Sequence, residues 1–275
     1  MGNLLERLLR RKSELLSRMV DDELGEVSLW NKMRHDATYA KCTGCRLGEL
    51  MPDMECYEDY CKAYNSPLSA FPEVAVVDGD LHRCAEFAEK SDYGVWSTRG
   101  ASDIDKLRLD NIAGKTGEFI VRDTLRSLGV DAGDPDMRIY TASMKSFDPD
   151  LKFTFNGCEN GISVKTFRIH YGVRRVSWVI QMSERNGKAG KDRHFFDPDP
   201  MYRERQWFAG VALSPDLRHG RILALLPMQL LYDAGVYGGM EIRNGTLEET
   251  KRAIYWEDLR RLNLLPDRTG IPFGG

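Results

Sequence analysis

Apolar residues recur at helical spacing in two parts of the chain. Within residues 1–24, Leu4, Leu5, Leu8, Leu9, Leu15, Leu16 and Met19 form one stripe, which predicts an amphipathic helix. Within 115–128, Phe119, Ile120, Leu125 and Leu128 form a second, and Gly129 stops that helix. Strand-like runs follow at 138–141, 151–155, 162–167, 176–182, 207–213 and 221–226. The last two are joined by SPDLRHG, whose composition is that of a turn. Residues 183–200 are polar and read as a loop, and 247–263 read as a final helix. A helix, several strands, a broken connection and further strands predict an α/β arrangement around a central mixed sheet.

Residues 40–100 break this pattern. They are loop-rich, with Pro52, Pro67 and Pro72, and hold five of the six cysteines. The chain is therefore expected to divide into 1–100, an N-terminal helix and cysteine-rich module, and 101–275, the main domain. With 42% hydrophobic and 29% charged residues in 275, the composition is that of a globular protein whose core needs no disulfides. The net charge of −3 gives no overall basic excess, so a nucleic-acid partner would be met by local patches. No apolar run approaches the roughly 20 residues of a membrane span. Charges interrupt every apolar pair near Met1, which argues against a secretory signal. The expectation is an intracellular protein, cytoplasmic or nucleoid-associated, with reduced cysteines and no membrane partner. The N-terminal helix packs on the body of the protein or forms a homodimer or partner seam.

The stretch FDPDLKFTFNGCENGISVKTF, residues 147–167, raises a chemical question. Two aspartates flank Pro149 ahead of one apolar strand, and the next strand carries Lys165. Ser163 and Lys165 are two apart and share a face. In a hairpin that face can meet the end where Asp150 begins, and Glu118 on the preceding helix is a further carboxylate. Phosphodiester hydrolysis needs such groups: hard oxygen ligands for a divalent cation, and a nearby cation to orient water or offset developing charge. The plainer reading is an Asx-type turn around Pro149 and a lysine at a sheet edge.

The set resembles the PD-(D/E)XK nuclease superfamily, the restriction-endonuclease-like fold, over roughly residues 114–226. GKTGEFIVRDTLRSLG stands for the first helix, Pro149-Asp150 for the PD element, and Ser163-Val164-Lys165 for the (D/E)XK element. The resemblance implies an αβββαβ core, Mg2+ or Mn2+, and DNA cleavage. It assigns Glu118 as the helix acid, Asp150 as the central metal ligand and Lys165 as the catalytic lysine, with Glu118 and Asp150 holding magnesium. Ser163 departs from the pattern, which has Asp or Glu there. A hydroxyl is a weaker ligand than a carboxylate, so Glu118, Glu159 or Asp148 compensates, or the site binds without cutting.

Arg168, His170, Arg174 and Arg175 follow the lysine strand, and Lys188, Lys191 and Arg193 lie in the polar loop. In a nuclease these would meet the phosphate backbone of DNA. Gln181 is a further candidate for the site. Cys42, Cys45, Cys56 and Cys61 have the spacing C-x2-C-x10-C-x4-C, which suits tetrahedral thiolate coordination of a structural Zn2+. An iron–sulfur cluster is the alternative, and Cys84, with His82 nearby, is a substitute ligand. The functional expectation is a metal-dependent deoxyribonuclease. Its rival is a non-catalytic nucleic-acid-binding or assembly protein with a zinc module and a decayed nuclease domain.

Overall fold

A hairpin organises the sheet. Strands β2 (Leu151–Phe155) and β3 (Cys158–Phe167) pair antiparallel, with Leu151 opposite Ile162 and Phe155 opposite Cys158. Asn156 and Gly157 join them with φ of 52° and 72°. Two successive positive φ values make a turn whose twist matches that of the flanking strands, and Asn-Gly accepts that geometry at least cost. The computed structural model describes residues 63–64, 71–91, 104–139, 149–168, 176–181, 205–214, 216–234 and 251–265.

Strand β1 is Val74–Ala75, β5 is Gln206–Leu213 and β6 is His219–Pro227. With the hairpin they form a five-stranded sheet in the order β1-β6-β5-β3-β2. β5 runs parallel to β3, and the other neighbours are antiparallel, so the sheet is mixed. The β5–β6 turn is closed by Asp216, which accepts hydrogen bonds from Ser214 Oγ and the Arg218 N–H. Residues 131–133 cover the outer edge of β2, the Gly133 N–H donating to the Lys152 carbonyl and the Thr154 N–H to that of Asp131. A separate antiparallel pair joins β4 (Ser177–Gln181) to β7 (Lys251–Tyr255).

Each face of the five-stranded sheet carries its own layer. On one, helices α1 (Asp78–Lys90) and α2 (Ile104–Ser127) pack against Ile162, Val164, Ala209, Val211 and Ile222. On the other, Phe167, Phe208 and Ala212 meet Trp178 and Ile180 of β4, Ile254 of β7, α3 (Met228–Asp233) and α4 (Trp256–Arg261). Even-numbered positions of β3 thus face α2, and odd-numbered ones face away from it, as the period of two requires.

The expected strand at 138–141 is not formed at Arg138 and Ile139, the part of it that is described; there Arg138 is held by Asp136 instead. The expected helix at 247–263 is corrected over 251–255. Lys251–Tyr255 is a strand, and the helix covers Trp256–Arg261. The reason is tertiary: β4 supplies a ladder of hydrogen bonds, with Trp178 opposite Ile254, and this outweighs local helix propensity. Residues 71–91, assigned on sequence grounds to the N-terminal module, provide β1 and α1 to the main sheet and core. Arg122 of α2 binds Asp80 of α1 and also Asp123 and Asp134, which ties the helical layer together. The helix expected at 1–24 lies outside the described residues.

Close approach of α2 to β3 depends on Gly117. A Cβ there would overlap Thr166 Oγ1 and come within 3.2 and 3.3 Å of Thr166 Cβ and Cγ2, so rotating the threonine relieves only part of the crowding. Gly117→Ala gains about 1 kcal/mol of helix propensity, but overpacking at this contact costs typically 1–3 kcal/mol. Thermal melts are expected to show a lower Tm for Gly117→Ala and recovery in the Gly117→Ala/Thr166→Ala double variant. A higher Tm in the single variant would contradict the contact.

Candidate functional site

Pro149 has no N–H to give the β2–β3 ladder, so the regular pairing ends at Leu151. The chain then folds over β3 at Gly161. A Cβ on Gly161 would lie 2.8 Å from Pro149 Cβ and Cγ and 2.5 Å from Gln206 Oε1. Glycine is required there because the proline ring and the glutamine amide occupy that space. The next residue, Asp150, turns its carboxylate to β3. Its Oδ2 accepts the Val164 N–H at 2.8 Å and lies 3.5 Å from Ser163 Oγ. Asp150 takes the place that a backbone carbonyl would hold in a continued ladder.

Gly161, Ser163 and Lys165 alternate onto the sheet face opposite α2. Asp150 is hydrogen-bonded at Ser163, and Lys165 is two residues further along β3 on the same face. Lys165 is half-buried and stands opposite Gly210 of β5. Gly210 is covered by Trp178: a Cβ on it would be 2.6–2.9 Å from atoms of the indole. Trp178 Nε1 donates to the Val211 carbonyl at 3.1 Å, which fixes the ring beside the lysine's strand position.

Glu118 belongs to α2. It is buried in the helical layer on the other face, where Lys115 Nζ donates to its Oε2 at 2.8 Å. Lys115 Nζ in turn lies 5.1 Å from the ring centroid of Phe87 on α1. The geometry of α2 explains this. Gly117 faces Thr166 on the sheet, and one residue on, the helix has turned about 100°. Thr166 and Lys165 project from opposite faces of β3. Glu159 is not next to Ser163. It pairs with Lys152, opposite Thr154, and is four residues from Ser163, roughly 13 Å along the strand. Asp148 lies outside the described residues.

Arg168, expected to contact phosphate, is buried and bound to Asp110 of α2 at 2.8 Å. It is an even-numbered position, so it turns into the helical layer. His170, Arg174, Arg175, Lys188, Lys191 and Arg193 lie outside the described residues, as do Cys42, Cys45, Cys56 and Cys61. Cys84, the substitute ligand, lies on α1. It is fully buried against Thr116 of α2, and burial pushes its thiol up to about 12. His82, two residues away on the same helix, is exposed and reaches toward Glu86. The backbone of Gln181 pairs with Lys251 in the small ladder.

Gln206 borders the site, and the sequence does not announce it. It begins a hydrophobic strand, and nothing local marks it. Its parallel pairing with Gly161 brings it to the Pro149 side of the site. No protein-family model, curated protein or solved structure matches the chain.

Proposed function

We propose that the protein is a metal-dependent nuclease that hydrolyses DNA phosphodiester bonds on a PD-(D/E)XK-like core. The observation that carries this reading is the placement of Pro149-Asp150 across β3, with Asp150 against Ser163 and Lys165 one pleat further on the same face. The order of elements supports it: helix α2 precedes an antiparallel hairpin, and a crossover leads from β3 to the parallel β5.

The donor set suits a hard divalent cation but is sparse. Asp150 supplies one carboxylate and Ser163 a hydroxyl, and among the described residues no group of three His, Cys, Asp or Glu is placed to hold a metal ion. Mg2+ accepts such a set, since it keeps several waters and is bound through one or two carboxylates together with substrate phosphates. When bound, the ion would polarise the phosphate and lower the pKa of a bound water. The chain's own contributions follow from position. The Val164 N–H and Ser163 Oγ orient the Asp150 carboxylate, and Lys165, two residues further on the same face, would supply a positive charge that offsets the charge growing on the phosphate.

The test is supercoiled plasmid incubated with the full chain and Mg2+ or Mn2+, with EDTA as control. Nicking that depends on metal is the expected result. The second reading, a nucleic-acid-binding or assembly protein with a decayed nuclease domain, is favoured by Ser163 standing where a carboxylate is expected and by Glu118 being paired with Lys115. Wild-type protein that binds DNA and cuts it under no divalent metal would select that reading. The zinc module stays a proposal on cysteine spacing: metal analysis should find about one Zn2+ per chain, and iron with sulfide would select the cluster instead.

A further inference from the structure

The face that carries Asp150 continues onto β5, and there Gln206 is the polar group. β5 presents Gln206, Phe208, Gly210 and Ala212 to that side. Phe208 and Ala212 are buried, and Gly210 lies under Trp178. Gln206 is half-buried, pairs with Gly161 and brings its amide beside Pro149. Gln206, Asp150, Ser163 and Lys165 therefore form one polar strip. It runs from the level of Gly161 to that of Lys165, roughly 13 Å at the rise of a strand. That is longer than one phosphate group. A ligand spanning it is a polymer backbone, with one phosphate at Asp150 and Lys165 and a neighbouring group at Gln206.

We propose that the side-chain amide of Gln206 hydrogen-bonds the nucleic-acid backbone next to the phosphodiester held at Asp150 and Lys165. The proposal rests on the nuclease reading above. A glutamine amide suits the role because it offers two N–H donors and a carbonyl acceptor, so it can meet a phosphate oxygen or a sugar oxygen. It carries no charge, so it adds position and register rather than electrostatic affinity. The contact is made only by a substrate long enough to pass Pro149. A small diester bound at Asp150 and Lys165 would not reach it.

That difference gives the test. Gln206→Met keeps length and removes the amide, and Gln206→Glu keeps shape and adds a negative charge. Each is compared with wild type in cleavage of duplex DNA and in hydrolysis of bis(p-nitrophenyl) phosphate, with Mn2+ in both. DNA binding is measured separately with Ca2+ in place of Mn2+. Gln206→Met should lower kcat/KM for DNA about tenfold, the size of one lost hydrogen bond to a charged oxygen, and leave the small diester within about twofold. The salt dependence of DNA binding should not change in slope, because no charge is removed. Gln206→Glu should weaken DNA binding further, since its carboxylate faces the phosphates. Equal losses on both substrates, or DNA binding by Gln206→Glu as tight as wild type, would overturn the inference. A wild type that cuts neither substrate overturns the nuclease reading itself, which is seen before any variant is made.

Discussion

Asp150→Asn should abolish metal-dependent DNA cleavage, with a loss of at least about a thousandfold. A loss of that size corresponds to about 4 kcal/mol, in line with the several kcal/mol that a bound cation contributes to phosphoryl chemistry. The substitution separates chemistry from folding. Asn keeps a carbonyl oxygen where Asp150 Oδ2 accepts the Val164 N–H, so the hairpin keeps its last hydrogen bond and Tm should move little. Lys165→Ala should cost about a hundred- to a thousandfold in rate, the range for removing one group that stabilises developing charge, while metal binding is retained. Ser163→Ala should do the least harm, under about tenfold, because its contact with Asp150 is long at 3.5 Å and neutral. Cleavage and DNA binding measured side by side for the three variants decide the matter. Full activity in Asp150→Asn would refute the site.

Trp178→Ala should destabilise the fold more than any of the substitutions named above. Trp178 is almost fully buried and sits edge-on to Phe208, with ring centroids 5.6 Å apart. It also fills the space above Gly210. Truncation leaves a cavity there and costs about 3–5 kcal/mol. It also removes the Nε1 donor from the Val211 carbonyl, which adds to the loss if water does not reach that group. At about 2–4 °C per kcal/mol for a domain of this size, Tm should fall by about 10 °C. Trp178→Phe should fall by less, because it fills part of the cavity but restores no donor. A drop of under about 3 °C in Trp178→Ala would show that β4 does not pack on the sheet as described. The same ring stands over the strand position opposite Lys165, so its loss should also loosen that end of the site.

Local pattern made several elements legible. The limits of β2 coincide with the apolar run at 151–155, and α2 covers the helix expected at 115–128 up to Ser127 but begins at Ile104. Helix α1 is encoded locally too. Leu81, Cys84, Ala85 and Ala88 are buried at helical spacing, but the cysteines and prolines around them give the segment the composition of a loop. Strand β7 has no such local signal. Lys251–Tyr255 is stabilised as a strand by pairing with β4, about seventy residues earlier, and no local residue encodes that partner.

The candidate site divides along the same line. Alternation along residues 161–167 by itself determines that Gly161, Ser163 and Lys165 share a face, because the strand period is two whatever the fold. The polar turn at Asn156-Gly157 returns Asp150 to that strand. Only the tertiary structure decided which face α2 covers. It covers the one bearing Ile162, Val164 and Thr166, where Gly117 allows close approach. That packing carries Glu118 into the ion pair with Lys115 and Arg168 into the one with Asp110, and it leaves Asp150, Ser163 and Lys165 on the far side with Gln206. Sequence spacing sets which residues within one element point together. Which side of the sheet a helix occupies depends on long-range burial, and that is why the partners of Glu118 and Arg168 could not be read from order along the chain.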